Sequence, residues 1–100
     1  MSRGSFGGLQ DMLIVAGHLR VHESDRDRYV ADCAAAVTAA RNADGCVDFA
    51  VSADAVDPCR VNVFECWQTR ELLNAFRGHG PDDAMRSRIL DANIAEYDLA

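Results

Sequence analysis

The chain has no lysine: all ten of its basic residues are arginine. Sixteen acidic residues outweigh them, giving a formal charge of −6 and a pI near 4.8. A chain this acidic repels phosphate backbones, which argues against a nucleic-acid partner. It also lacks the polybasic patch that holds a protein to an anionic membrane surface. Long hydrophobic runs are missing too, and none approaches the roughly 18 residues of a membrane span. The four cysteines, Cys33, Cys46, Cys59 and Cys66, form no C-x-x-C, and no histidine stands at zinc-finger distance from a pair of them. H-E-x-x-H is absent, and no carboxylate pair has metal-ligand spacing, so no metal is expected. There is no G-x-G-x-x-G and no G-x-x-x-x-G-K-[ST], hence no nucleotide signature. G-x-S-x-G is missing as well. An enzyme with this sequence is expected to work without an organic cofactor. Residues 1–11 (MSRGSFGGLQD) lack the apolar core of a secretory signal. A cytoplasmic chain with reduced, packed thiols is therefore expected.

What is present is an ordinary globular mix, 49% hydrophobic and 26% charged, in 100 residues. That suits one compact domain over 12–100 after a glycine-rich, mobile tail over 1–11. Residues 12–21 (MLIVAGHLRV) read as a strand covered on both faces, with Gly17 marking a bulge or a close approach. Ser24 can cap a helix carrying Val30, Cys33, Ala34, Val37 and Ala40 on one stripe, with Gly45 as its stop. Cys46 to Ala53 alternates, with Val47, Phe49 and Val51 on one face and Cys46, Asp48, Ala50 and Ser52 on the other. Asp54 to Pro58 is a turn, and residues 59–68 return as a strand. A short helix capped by Thr69 runs to Gly78-His79-Gly80-Pro81. A second helix follows, with Met85, Ile89 and Ala92 as its buried stripe. Residues 93–99 close as a strand.

The order β-α-β-β-α-β predicts an α+β, ferredoxin-like fold, with a four-stranded antiparallel sheet and both helical crossovers on one face. The other sheet face has no cover within the chain, although its strands are apolar on both sides. A homodimer through that open face is the economical expectation.

Three polar groups stand in strands that otherwise read as core: His18, Asn62 and Glu65. Strand parity puts Val61, Val63, Glu65 and Trp67 on one face and Asn62, Phe64 and Cys66 on the other. Asn62 and Trp67 therefore face one cavity only if a bulge intervenes. Glu65 needs either a salt bridge, to Arg20, Arg60 or an arginine across the dimer, or a role as general base or substrate contact. Trp67 is either core or the wall of a ligand cavity. His18 has the proton affinity of a shuttle if it faces a pocket. His79 lies in a loop between glycines, where functional residues concentrate.

The stretches Gly45-Cys46-Val47-Asp48-Phe49, Val63-Phe64-Glu65-Cys66-Trp67 and Leu72-Leu73-Asn74-Ala75-Phe76-Arg77 stand in that order, ahead of His79-Gly80-Pro81. In this they resemble the antibiotic biosynthesis monooxygenase (ABM) family. That family has G-C-x-x-[FY] opening the second strand, E-x-W ending the third, and a histidine near a proline after the next helix. The resemblance spans about residues 12–99. It implies a dimeric α/β barrel and a cofactor-independent oxygenation of a phenol, anthrone or quinol by molecular oxygen. It implies an asparagine and a tryptophan in the site, for which Asn62 and Trp67 are the candidates beside His18 and Glu65. Phe49, Phe76, His79 and Met85 are expected to line the substrate. The alternatives are a non-catalytic binding module for a hydrophobic small molecule and, less favoured, a haem-binding or haem-degrading relative. The haem-degrading relatives use an asparagine on the first strand, where this chain has Gly17-His18.

Overall fold

The computed structural model describes residues 12–78 and 83–99. The expected tail over 1–11 and the expected ligand residue His79 lie outside the described residues. Four strands, β1 (Leu13–Arg20), β2 (Cys46–Ala53), β3 (Arg60–Trp67) and β4 (Asp91–Asp98), form one antiparallel sheet in the order β2-β3-β1-β4. Helices α1 (Arg26–Asp32) and α2 (Ala34–Arg41) make the first crossover, and α3 (Arg70–Arg77) and α4 (Asp83–Arg86) the second. This is the ferredoxin-like α+β fold, with the strand order that two βαβ-type crossovers around a central hairpin require.

The expected first helix is two. At Cys33 the backbone N–H is shared between the carbonyls of Tyr29 and Val30, and ψ opens to −12°. That tighter turn divides α1 from α2. Ser24 does not cap. It sits in a 3₁₀ turn over Glu23–Asp25, and neither that turn nor α1 has a side-chain cap. The Asp25 carboxylate is gripped instead by Arg88, at 2.8 Å and 2.9 Å. Thr69 caps α3 as expected, its hydroxyl accepting from the Leu72 N–H at 3.1 Å. The last stripe needs correction: α4 stops at Arg86, and Ala92 belongs to β4, where it pairs with Leu19.

Strand parity decides what is buried. Leu13, Val15 and Leu19 of β1, with Val61 and Trp67 of β3, point under the helices. One core cluster gathers Leu13, Val15, Ala40, Phe49, Trp67 and Leu73; a second gathers Leu19, Val21, Tyr29 and Val61, with Met85 and Ile89 against it. Between the two runs the cross-sheet row Val51–Val63–Gly17–Ile94. Gly17 is the close approach anticipated: a Cβ there would lie 2.0 Å from the carbonyl oxygen of Asn93 in β4. The register slips between Cys46 and Asp48, so this bulge places Cys46 with Phe49 in the first cluster rather than on the opposite face. The strand β1 is not covered on both faces within the chain. Ile14, Ala16, His18 and Arg20 are half-buried on the side away from the helices.

Candidate active site

On the helix side, one cross-sheet row reads Phe49–Glu65–Val15–Glu96 and the next reads Cys46–Trp67–Leu13–Asp98. Glu65 and Trp67 are two apart in β3 and so share this face. The Trp67 ring has no exposed surface, and its Nε1–H donates to Glu65 Oε1 at 2.9 Å. Phe76, from α3, stacks at a tilt on Trp67 with centroids 5.3 Å apart and meets Phe49 edge-on at 6.0 Å. An acid thus stands beside a packed aromatic cluster on the helix side of the sheet.

Burial pushes the Glu65 carboxyl above its ordinary value. The Trp67 N–H and the charge of Arg77 pull it down, while the charge of Glu96 raises it further. The expected salt bridge to Arg20 or Arg60 is not formed. Those two pair with each other across β1 and β3 on the opposite face. Arg20 binds Asp57 at 2.6 Å, and Arg60 donates to Asn62 at 2.6 Å. The cations near Glu65 come from α3. Arg70 and Arg77 are seven residues apart, two turns, and both reach to β4. Arg70 donates to Glu96 Oε1 at 2.5 Å and to Asp98 at 3.1 Å, while Arg77 donates to Glu96 Oε2 at 2.8 Å. Each oxygen of Glu96 is therefore taken by one arginine, which holds its carboxyl below the usual range. Glu96 carries no motif, and nothing in the Leu72–Arg77 stretch assigns Arg77 a role. Only the strand register, which sets Glu96 two strands from Glu65 on one face, reveals them.

The expected catalytic set divides by face. Glu65 and Trp67 stand under the helices. His18 and Asn62 are paired neighbours on the open face of the sheet. Asn62 is engaged at both amide atoms: its oxygen accepts from Arg60 and its nitrogen donates to Asp54 at 2.9 Å. His18 and His22 have the four-residue spacing of a helical metal pair, but one is mid-strand and the other lies past the strand end. Among the described residues, no three His, Cys, Asp or Glu side chains converge as a metal site. Of the expected substrate contacts, Phe49 and Phe76 join Trp67, whereas Met85 packs on the second cluster, across the Gly17 row. Ile94, at the β4 end of that row, is 40% exposed. The cysteines are all free thiols.

A four-stranded antiparallel sheet with paired helical crossovers, a packed aromatic cluster and a half-buried carboxyl defines a small α+β domain of the ferredoxin-like class. Comparison with known proteins places it more narrowly. The antibiotic biosynthesis monooxygenase family matches residues 12–86, and the chain belongs to that family. The curated proteins give no match. Among solved structures, a conserved protein from Methanosarcina mazei is 14% identical, with a TM-score of 0.78 over 92% of this chain and 96% of its own. A protein from Nitrosomonas europaea, provisionally named an antibiotic biosynthesis monooxygenase, is 15% identical, with a TM-score of 0.77 over 89% and 90% of the two chains. One from Caulobacter crescentus with the same provisional name is 22% identical, with a TM-score of 0.71 over 92% of each. At these identities the likeness concerns the fold. No described helix is long and apolar enough to cross a membrane.

Proposed function

We propose that this chain is a monooxygenase that oxidises an aromatic phenol, anthrone or quinol with molecular oxygen, using no cofactor. The observation that carries the reading is the Glu65–Trp67 pair, a half-buried carboxyl beside three aromatic rings in a member of this family. Phe76, half-buried and backed by the packed rings of Trp67 and Phe49, offers the aromatic surface a flat apolar substrate would meet. Glu65 serves as proton acceptor, because burial makes its carboxylate more basic than one in water. For an anthrone, removal of a proton from the ring CH₂ leaves a carbanion that adds to oxygen. Loss of water from the resulting hydroperoxide then leaves a C=O. One oxygen atom enters the product and the other leaves as water, so the substrate itself supplies the electrons.

We further propose that the active species is a homodimer joined through the open sheet face. The row Ala50–Phe64–Ala16–Ala95 stands one large ring among three methyl groups there, and Phe64 and Tyr97 are both exposed. A twofold partner would receive that ring on its own alanines.

Oxygen uptake with a panel of anthrones and reduced naphthoquinols, free of metal and flavin, tests the oxygenase reading. Uptake above autoxidation is expected for the wild type. It should fall at least about a hundredfold in Glu65→Gln, the lower range for loss of a general base. A folded protein that gives no uptake across the panel would favour the binding module instead. In that role the same aromatic surface would hold a hydrophobic ligand, and Glu65 would serve only to anchor Trp67.

A further inference from the structure

Two carboxylates, Glu65 and Glu96, lie in one cross-sheet row on the same face, separated only by Val15. With strands about 4.8 Å apart, their backbones are roughly 10 Å from each other. Arg77 reaches into the space above that row from α3. Its guanidinium is bonded to Glu96 at 2.8 Å, while its charge is felt at Glu65. Arg70 closes the other side of Glu96. The two arginines are therefore paired with Glu96 and Asp98, and among the described residues neither forms an ion pair with Glu65.

We propose that Glu96 is a positioning residue: by holding Arg77 on β4, it keeps Glu65 without a cation partner and so able to accept a proton from substrate. The functional half of this statement rests on the oxygenase reading above; the structural half does not. The groups that face Glu65 can be named element by element. From β1 come only Leu13, Val15 and Gly17, which carry no charge. From β3 comes the Trp67 N–H, and from β2 come Phe49 and the Cys46 thiol, which burial and the neighbouring charges of Asp48 and Glu65 push up. From α2 comes Arg41, whose Nε–H is held on the Phe49 carbonyl at 2.8 Å; from α3 come Arg70 and Arg77, and from β4 Glu96 and Asp98. Within this set, only the Arg77–Glu96 bond decides whether a guanidinium is spent on β4 or turns to Glu65. Removing the charge of Glu96 acts twice in one direction. It deletes a like charge beside Glu65 and frees Arg77 to pair with it, and both effects favour the ionised form of Glu65.

The chain has one tryptophan, and its N–H is bonded to the group in question. Trp67 fluorescence followed from about pH 3 to pH 8, across the carboxyl range, therefore reads Glu65 without any substrate. In Glu96→Gln the midpoint should move down by about half a pH unit or more, roughly threefold in proton affinity. In Arg77→Gln it should move up, and Glu96→Asp, which retains the charge, should return it toward the wild-type value. Glu65→Gln should abolish the transition. Both Glu96 and Arg77 are on the surface, and Arg77→Gln keeps the proposal testable if Glu96→Gln fails to fold. A midpoint unmoved in Glu96→Gln overturns the proposal and leaves the oxygenase reading intact. A transition that persists in Glu65→Gln overturns it as well. Absence of oxygen uptake would remove the catalytic meaning alone, since the titration needs no turnover.

Discussion

The fully buried indole of Trp67 donates its N–H to Oε1 of Glu65 across 2.9 Å. The donor is neutral, so the bond satisfies a carboxyl oxygen without supplying a countercharge. It also anchors the ring that Phe76 stacks on. Trp67→Phe removes that donor and empties part of a close-packed site. A fully buried acceptor left unpaired costs on the order of 1–3 kcal/mol, the half-buried Glu65 oxygen falls toward the lower end, and the lost volume adds to it. A loss of roughly 2–4 kcal/mol is expected from urea unfolding. A change within about 0.5 kcal/mol, the size typical of surface substitutions, would show that the indole contributes neither packing nor the hydrogen bond.

Glu65 also gives stability an unusual dependence on pH. Its carboxyl is raised from 4.5, so the folded chain holds this proton more tightly than the unfolded chain does. The contribution is full below the unfolded value and is lost as pH rises through the folded one. Glu65→Gln keeps an oxygen to accept from Trp67 but never ionises. The variant should therefore equal or exceed the wild type in thermal stability at neutral pH, and the advantage should disappear in acid. Thermal melts across that range check this. A variant that is less stable at neutral pH and gains nothing relative to the wild type as pH rises would show that the ionised carboxylate is itself stabilising.

How far the sequence reveals this arrangement differs from element to element. The four strands, the Thr69 cap and the opposition of Asn62 to Trp67 follow from period-two alternation and turn chemistry, which are local. The bulge at Cys46 and the break at Cys33 are not legible, because each depends on how a neighbouring element receives the chain. Glu65 and Trp67 are legible as chemistry in the wrong place for a core. Their mutual bond follows from parity, once neither Arg20 nor Arg60 can reach that face. Arg77 and Glu96 stay silent because they are nineteen residues apart. Exposed charges on a helix and an edge strand look like ordinary solvated surface until the register joins them.

The two described glycines with positive φ have distinct reasons to be glycine. At Gly17 a Cβ would meet the β4 backbone, 2.0 Å from Asn93 O and 2.8 Å from Ile94 Cα. At Gly45, with φ at +82°, it would meet Leu72 of α3 at 2.4 Å. A left-handed residue with a side chain costs roughly 1–2 kcal/mol before any clash. Both alanine variants should be destabilised. Gly17→Ala should suffer more, because a paired strand backbone yields less readily than a leucine side chain. Urea unfolding ranks them, and hydrogen exchange should show β4 loosening first in Gly17→Ala. Equal stability of Gly17→Ala and the wild type would mean that β4 does not press on β1.

Asp54 governs the acid limit of the hairpin. Its carboxylate accepts from the N–H groups of Val56 and Asp57 and from the Asn62 side chain, at 3.1, 2.8 and 2.9 Å. The Asp57 bond leads in holding its carboxyl at about 2, from an ordinary 3.8. A lowered carboxyl contributes stability that is present above the unfolded value and is lost as pH falls through the folded one. The wild-type melting temperature should therefore fall between about pH 4 and pH 2. Asp54→Asn should begin lower at neutral pH and fall less over that window. Parallel curves for the two proteins would assign the acid loss elsewhere.

The open sheet face supplies the last test. Phe64 rises from a row whose other members are Ala50, Ala16 and Ala95, and it is 36% exposed. A ring standing on such flat ground leaves a knob and, beside it, shallow holes of matching depth. In the proposed dimer a twofold axis would bring the knob of one copy over the alanines of the other, so a single change would alter the interface twice. Phe64→Glu places two like charges in that contact, where desolvation without a partner is costly. Sedimentation should find the wild type dimeric at micromolar concentration and Phe64→Glu monomeric, with its circular dichroism unchanged. Val56→Glu, in the exposed hairpin loop, should leave the dimer intact. The helix-side acid is built from one chain alone, so monomeric Phe64→Glu should keep the Glu65 titration seen through Trp67. If the wild type is itself a monomer, the open face is not a self-association surface and Phe64 serves some other contact.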